Sequence, residues 1–162
     1  MHNFKLESYL KIIFLISLIS IISAYFIEYI LGYQPCNLCL IERIPYISAM
    51  ILIILNYFFK KSAYFVVLLL ILTFVFSLIV SFYHFGIEQG FFEESAVCRL
   101  KDISEIISKE ELLKQLQVKT VSCKDVTFKI FGFSLTSVNI VISLLIIFVL
   151  TKIFYNYENF KK

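Results

Sequence analysis

Residues 63–83 carry no charge and read Ala63-Tyr-Phe-Val-Val-Leu-Leu-Leu-Ile-Leu-Thr-Phe-Val-Phe-Ser-Leu-Ile-Val-Ser-Phe-Tyr83. A helix rises about 1.5 Å per residue, so this stretch is long enough to cross the roughly 30 Å hydrocarbon core of a bilayer. It therefore predicts a transmembrane helix.

Three further stretches are apolar over most of a bilayer's thickness. Ile12–Ile27 and Ile130–Thr151 carry no charge. Ile44–Phe59 reaches a spanning length only if its helix starts a few residues earlier, which draws Glu42 and Arg43 into the membrane boundary. We predict an all-α membrane protein, a single four-helix bundle over residues 1–162. Its spans are expected at about 9–31, 41–59, 63–84 and 130–152, with external loops at about 32–40 and 86–129.

The composition agrees with a membrane protein. Of the 162 residues, 60% are hydrophobic, and the mean hydropathy is +0.88, well above that of an ordinary soluble domain. The net charge of +3 is small, and the lysines are dispersed or sit at membrane edges. These features exclude nucleic acid as an expected partner and indicate the lipid bilayer.

Four spans place both chain termini on one side of the membrane. The lysines at the termini and between the second and third spans share that side, so the positive-inside bias makes it cytoplasmic. The long loop opposes this bias, since it holds seven Lys and Arg residues on the other side. A cleaved signal peptide is the alternative for the first span, but the apolar core is too long and no small-x-small cleavage site follows.

The long external loop contains two capping boxes, Asp102-Ile-Ser-Glu105 and Ser108-Lys-Glu-Glu111. Isoleucines and leucines recur around them at roughly helical spacing. We expect one or two short amphipathic helices on the membrane surface. A small packed cap over the bundle is the alternative.

All four cysteines lie in the expected external loops. Cys36 and Cys39 form a Cys-Asn-Leu-Cys motif in the short loop, and Cys98 and Cys123 lie in the long one. An even number of spans separates the two loops, so both pairs face the same side, where they can meet. Four cysteines can pair in three ways.

The cysteines have three interpretations. Two structural disulfides fit an oxidising compartment, and zinc binding by all four cysteines is a second possibility. A bridge between Cys36 and Cys39 would close so small a loop that it adds little stability. That spacing favours the third interpretation, reversible redox chemistry.

Charged and polar residues flank the first cysteine pair. Arg43 follows Cys39 by four residues, so on a helix the two share a face and the guanidinium favours the Cys39 thiolate. Pairing of Arg43 with Glu42 or a lipid phosphate is the alternative. His84 ends the third span and, on sequence alone, is an interfacial anchor; Glu28 and Glu88 mark membrane boundaries in the same way. Pro45 either lies in the first turn of the second span or kinks it near Arg43.

The first cysteine pair reaches only molecules that dissolve in the bilayer. A lipid quinone is the natural acceptor there, because it takes two electrons, as many as a dithiol releases.

These residues resemble a known family. Cys36-Asn-Leu-Cys-Leu-Ile-Glu-Arg43 resembles the Cys-x-x-Cys-x-x-Glu-Arg signature of the disulfide-bond formation protein B (DsbB) family. Tyr83-His84, Glu88-Gln89, Cys98 and the run from Cys123 to Leu135 resemble its third span, second loop and fourth span. The resemblance implies a quinone-reducing enzyme of the bacterial inner membrane, with its cysteine loops facing the periplasm. Its partner would be a periplasmic thioredoxin-fold oxidase of the DsbA type, which it reoxidises to sustain disulfide bond formation.

The resemblance also implies a role for each cysteine. The reactive thiolate of the oxidase would attack Cys98, and Cys123 would then exchange with Cys36. That step frees Cys39, whose thiolate donates to quinone, the cofactor implied. Arg43 and His84 match residues that bind the quinone in the family.

Two features depart from the family. The chain has no Trp, and Phe128 stands where many members carry one; a proline, Pro45, also lies two residues after Arg43. A rival is a vitamin K epoxide reductase-like oxidoreductase, also quinone-linked, in which the loop cysteines precede the Cys-x-x-Cys motif; here they follow it. A non-enzymatic membrane subunit with structural disulfides is a rival of another class.

Overall fold

A computed structural model of the chain describes residues 2–58, 63–94, 98, 122–124, 129–130 and 132–161. The described elements are α1 (His2–Tyr29), α2 (Asn37–Ile41), α3 (Arg43–Phe58), α4 (Ala63–Glu88), β1 (Lys129–Ile130), β2 (Phe133–Ser134) and α5 (Leu135–Lys161). The short amphipathic helices expected near Asp102 and Ser108 lie outside the described residues.

Four helical segments are long and apolar enough to cross a membrane: Leu6–Tyr29, Asn37–Phe58, Tyr64–Glu88 and Leu135–Tyr155. At most 33% of the most apolar window of each segment is buried inside the protein. Most of their apolar side chains therefore point outward, a surface that lipid covers and water does not. The chain is a four-helix membrane bundle, as the sequence predicts.

Two kinds of contact hold the bundle together: apolar packing in the core and a pair of hydroxyl groups between two helices. Helix α4 packs most extensively against α5, while α3 packs against both α1 and α4. Apolar side chains fill the core, among them Leu70, Phe74 and Leu150. Between α4 and α5 the hydroxyls of Ser77 and Ser143 lie 3.1 Å apart. Small residues of this kind allow helices to approach closely in a membrane.

The second span is interrupted at Glu42, between α2 and α3. Pro45 lies in the first turn of α3, where it has no backbone N–H to bond the Ile41 carbonyl four residues earlier. The short helix α2 is capped by Cys36, whose sulfur accepts the Cys39 backbone N–H at 3.2 Å. The proline thus separates the cysteine turn from the main body of the span.

The fourth span begins at Leu135. The sequence predicted that it would begin at about residue 130, five residues earlier. Residues 129–134 instead contain an antiparallel hairpin that pairs Lys129 with Ser134 and Ile130 with Phe133. Gly132 turns the chain at φ +87°, a conformation that favours glycine.

The chain folds back where α4 ends. The Gly86 carbonyl accepts the backbone N–H groups of Phe91 at 2.8 Å and Phe92 at 3.1 Å. The Phe92 ring stacks on Tyr83 with ring centroids 5.7 Å apart, and it occupies the space that a Cβ on Gly86 would need. This contact fixes the start of the segment that leads to Cys98.

We expect Gly86→Ala to lower the stability of the protein by about 1–3 kcal/mol, because the new methyl group displaces the Phe92 ring. Thermal unfolding in detergent measures the change. In a Phe92→Ala background the same substitution should cost little, since the obstructing ring is gone. An equal loss in both backgrounds would contradict this packing.

Candidate redox site at one end of the bundle

Each cysteine pair forms a disulfide. Cys36 bonds to Cys39 with a Cα–Cα distance of 5.1 Å, and Cys98 bonds to Cys123 with a Cα–Cα distance of 5.4 Å. Of the three possible pairings, the protein therefore adopts the one that keeps each bridge within its own loop.

The two disulfides lie in one buried cluster. Cys36, Cys98 and Cys123 are at most 5% exposed, and they pack together with Leu38 and Ile87. The short and long loops therefore bring their bridges to the same end of the bundle. Both bridges thus share one buried environment.

His84 lies directly against the first disulfide. It is 3% exposed, and its Nε2 atom is 3.5 Å from Cys36 Sγ. Its Nδ1 atom is 2.9 Å from Glu42 Oε1. A carboxylate is an acceptor, so the hydrogen is assigned to Nδ1, and the lone pair of Nε2 then faces the sulfur. In this tautomer Nε2 can accept the proton of a Cys36 thiol.

Glu42 is fixed from a second side by Asn139 of α5. The Asn139 amide donates to Glu42 Oε2 at 3.0 Å and to Ser81 Oγ at 2.7 Å. The Tyr46 hydroxyl in turn donates to the Asn139 carbonyl oxygen. Polar groups at membrane depth are costly unless paired, and this network pairs them across α3, α4 and α5.

Glu88 is a second acid buried beside the histidine. Its side chain is 6% exposed, and Oε1 lies 3.9 Å from His84 Nε2. Thr136 donates to the same oxygen at 2.6 Å, whereas Oε2 is buried with no hydrogen-bond partner among the residues that the structure describes. An unsatisfied buried carboxylate oxygen calls for an explanation.

Arg43 is held by α1. Its Nη1 atom donates to Glu28 Oε2 at 2.6 Å, and the two side chains are 13% and 18% exposed. The guanidinium also lies over the Tyr25 ring, 5.0 Å from the centroid. Such a cation–π contact contributes about 0.5–2 kcal/mol, more where water is excluded. Within the described part of the chain Arg43 thus pairs with Glu28, and not with Glu42 as one form of the alternative interpretation held.

An apolar cavity of about 310 Å³ lies between α1, α3 and α5. Isoleucines supply much of its wall, including Ile19, Ile27 and Ile142, while Cys39 and Arg43 line its polar part. His84 is not among the described residues that line it. The two cysteines of this bridge therefore have different neighbours: the Cys36 sulfur contacts the histidine, and Cys39 is one of the residues that line the cavity.

Most partners of the predicted site residues were not identified from the sequence. Glu28 and Glu88 were interpreted as boundary markers, and Thr136 and Asn139 were not singled out. A signal existed for Asn139, because a polar amide inside an apolar span is by default a functional candidate. No comparable signal links Glu28 to Arg43 across the intervening loop.

Comparisons with known proteins agree with this geometry. The family model described as "Disulfide bond formation protein DsbB" matches residues 7–153. An uncharacterized protein of Rickettsia prowazekii (strain Madrid E) is 30% identical over 147 residues, which cover 89% of this chain and 86% of that protein. No solved structure matches. The chain therefore belongs to the DsbB family of membrane disulfide oxidoreductases.

Proposed function

We propose that this protein reoxidises a periplasmic dithiol oxidase of the DsbA type and passes the electrons through its two cysteine pairs to a membrane quinone. Two observations carry the proposal: both disulfides share a buried cluster, and Cys39 of one bridge lines an apolar cavity. In this account the protein lies in the bacterial inner membrane. The cysteine loops face the periplasm, and the lysine-rich termini are cytoplasmic.

The first half of the route is thiol–disulfide exchange. A thiolate of the thioredoxin-fold oxidase attacks Cys98, which forms a mixed disulfide and releases Cys123 as a thiolate. Cys123 then attacks Cys36 and releases Cys39. The second thiol of the oxidase attacks the mixed disulfide, which frees Cys98 and releases the oxidised partner. Cys98 recloses its bridge with Cys123 and releases Cys36, so the Cys36/Cys39 dithiol holds the two electrons. Each exchange forms one S–S bond and breaks one, so two electrons move with no other reactant. The burial of Cys36, Cys98 and Cys123 in one cluster supports the second exchange.

The surroundings of Cys36 suit the step in which its sulfur is released from the bridge to Cys123. Its neighbour Nε2 of His84 accepts a thiol proton when Glu42 holds the hydrogen on Nδ1. A proton can thereby leave Cys36 without crossing the apolar cavity. That His84 binds quinone stays a prediction. Its side chain lies between Cys36 and Glu42, and it is not among the described residues that line the cavity.

The cavity fits a quinone ring. Its volume of about 310 Å³ is at the lower end of the roughly 300–1,000 Å³ typical of small-molecule pockets. Its walls are largely apolar, while the Arg43 guanidinium, with N–H groups beyond the one that binds Glu28, provides a donor for a carbonyl oxygen. A bound quinone supplies an acceptor for two electrons and two protons in the cavity that Cys39 lines.

We expect Cys39→Ser to abolish quinone reduction by a reduced DsbA-type partner, because no sulfur then lines the cavity. Quinone absorbance, followed with purified protein, measures the rate. Ser23→Ala, a change in the wall of the same cavity, should retain activity. Normal turnover by Cys39→Ser would refute the route, and no turnover by the unaltered protein would favour a non-enzymatic subunit.

We expect Arg43→Ala to raise the KM for quinone about tenfold or more. A hydrogen bond to a charged group contributes about 1.5–3 kcal/mol, which corresponds to roughly ten- to hundredfold. Glu28→Gln should raise KM less, since the guanidinium remains but loses its ionic partner. Tyr25→Phe keeps the ring beneath the guanidinium and serves as the control. An unchanged quinone dependence in Arg43→Ala would reject this role.

A further inference from the structure

Three metal-ligating side chains converge at the first cysteine pair. The sulfur atoms of Cys36 and Cys39 and a ring nitrogen of His84 all lie within 4.8 Å of one another. Cys36 and His84 are buried, and Cys39 is half-buried. Thiolate and imidazole are the donors that Zn²⁺ prefers in tetrahedral protein sites.

The hydrogen bonds of His84 set it up as a metal ligand. Nδ1 faces Glu42 at 2.9 Å, which leaves the lone pair of Nε2 directed toward Cys36. Asn139 holds the other oxygen of Glu42 at 3.0 Å. Histidines that bind metals usually donate their second N–H to a carboxylate in this way, which fixes the tautomer and raises the basicity of the ligand.

Glu88 lies beside the histidine but outside the three ligands that meet within 4.8 Å of one another; a shift of its side chain toward the sulfurs would make it the fourth ligand. Its Oε1 atom is 3.9 Å from His84 Nε2, and its buried Oε2 atom lacks a hydrogen-bond partner within the described part of the chain. Thr136 donates to Oε1 at 2.6 Å, so among the described residues Oε2 is the oxygen left without a partner. A cation bound at Nε2 would give the Glu88 carboxyl group a second partner.

We propose that the dithiol form of this site binds one Zn²⁺ through Cys36, Cys39 and His84, with Glu88 as the fourth ligand. Zn–S bonds of about 2.3 Å and Zn–N bonds of about 2.0–2.1 Å in a tetrahedron place nitrogen and sulfur about 3.6 Å apart. The distance from His84 Nε2 to Cys36 Sγ is 3.5 Å.

The site depends on the redox state. In the disulfide each sulfur is bonded to the other, so neither is available as a thiolate. Reduction opens the bridge, and the dithiol then exchanges two protons for the metal with no transfer of electrons. The proposed function supplies this dithiol in every cycle, and a chemical reductant supplies it as well. Bound zinc withholds both thiolates and therefore blocks reoxidation until it leaves.

Co²⁺ tests the site in the full-length protein, in detergent and without quinone or partner. Replacing Cys98 and Cys123 by serine removes the competing thiols. After reduction with a phosphine and removal of the reductant, one equivalent of Co²⁺ should give thiolate-to-cobalt charge-transfer absorption, and Zn²⁺ should abolish it. The disulfide form should give none.

Variants assign the ligands. His84→Ala and Cys36→Ser should lose the absorption, while helicity by circular dichroism checks the fold. Glu42→Gln, which preserves shape, should weaken Co²⁺ binding about 10- to 100-fold. Glu88→Gln should weaken binding and change the visible cobalt bands, whereas the same substitution at exposed Glu93 should do neither.

Failure of this inference is distinguishable from failure of the proposed function. Quinone reduction without any cobalt absorption in the reduced protein would overturn the metal site alone. The same absorption in His84→Ala and Glu42→Gln as in their parent would also overturn it. Cobalt binding in a protein that cannot reduce quinone would leave the metal site standing and reject the electron route.

Discussion

The Glu42 carboxylate is the group on which the geometry of the site depends. It lies at the break between α2 and α3, contacts His84 of α4 at 2.9 Å and accepts from Asn139 of α5 at 3.0 Å. An acid at the membrane edge is stable only with such partners, and leaving a buried polar group without its hydrogen-bond partner costs about 1–3 kcal/mol, more for a charged group. The carboxylate therefore ties three helices together, and through His84 it sets the surroundings of Cys36.

Two different environments meet at the Cys36–Cys39 bridge. Cys36 lies in the same buried cluster as Cys98 and Cys123 and beside the histidine, whereas Cys39 lines an apolar cavity with Arg43. In the route that we propose, exchange with the other disulfide uses Cys36 and transfer to a lipid-soluble acceptor uses Cys39. The ion pair with Glu28 holds the Arg43 guanidinium at the cavity. It also gives this charge the partner that a charged group at the membrane edge requires.

The spans could be predicted from the sequence because apolar length is a local property, and the Cys36–Cys39 motif because its spacing is. For Cys98 and Cys123, 25 positions apart, only the family resemblance implied a shared role. The starting point of α5 could not be predicted, since Ile130 and Phe133 of the hairpin before it continue the uncharged run of the span. Contacts such as Glu42 with Asn139, 97 positions apart, depend on how each helix is rotated. Spans that are apolar on every face carry little signal of that rotation.

The central claim is that the two loops can exchange their disulfides. It is tested most directly in a Cys39→Ala/Cys98→Ala variant, in which only Cys36 and Cys123 remain. Peptide mapping by mass spectrometry without reduction, after mild oxidation, should find these two cysteines joined within one chain. Two thiols that stay open to alkylation, or bridges formed only between chains, would contradict the account.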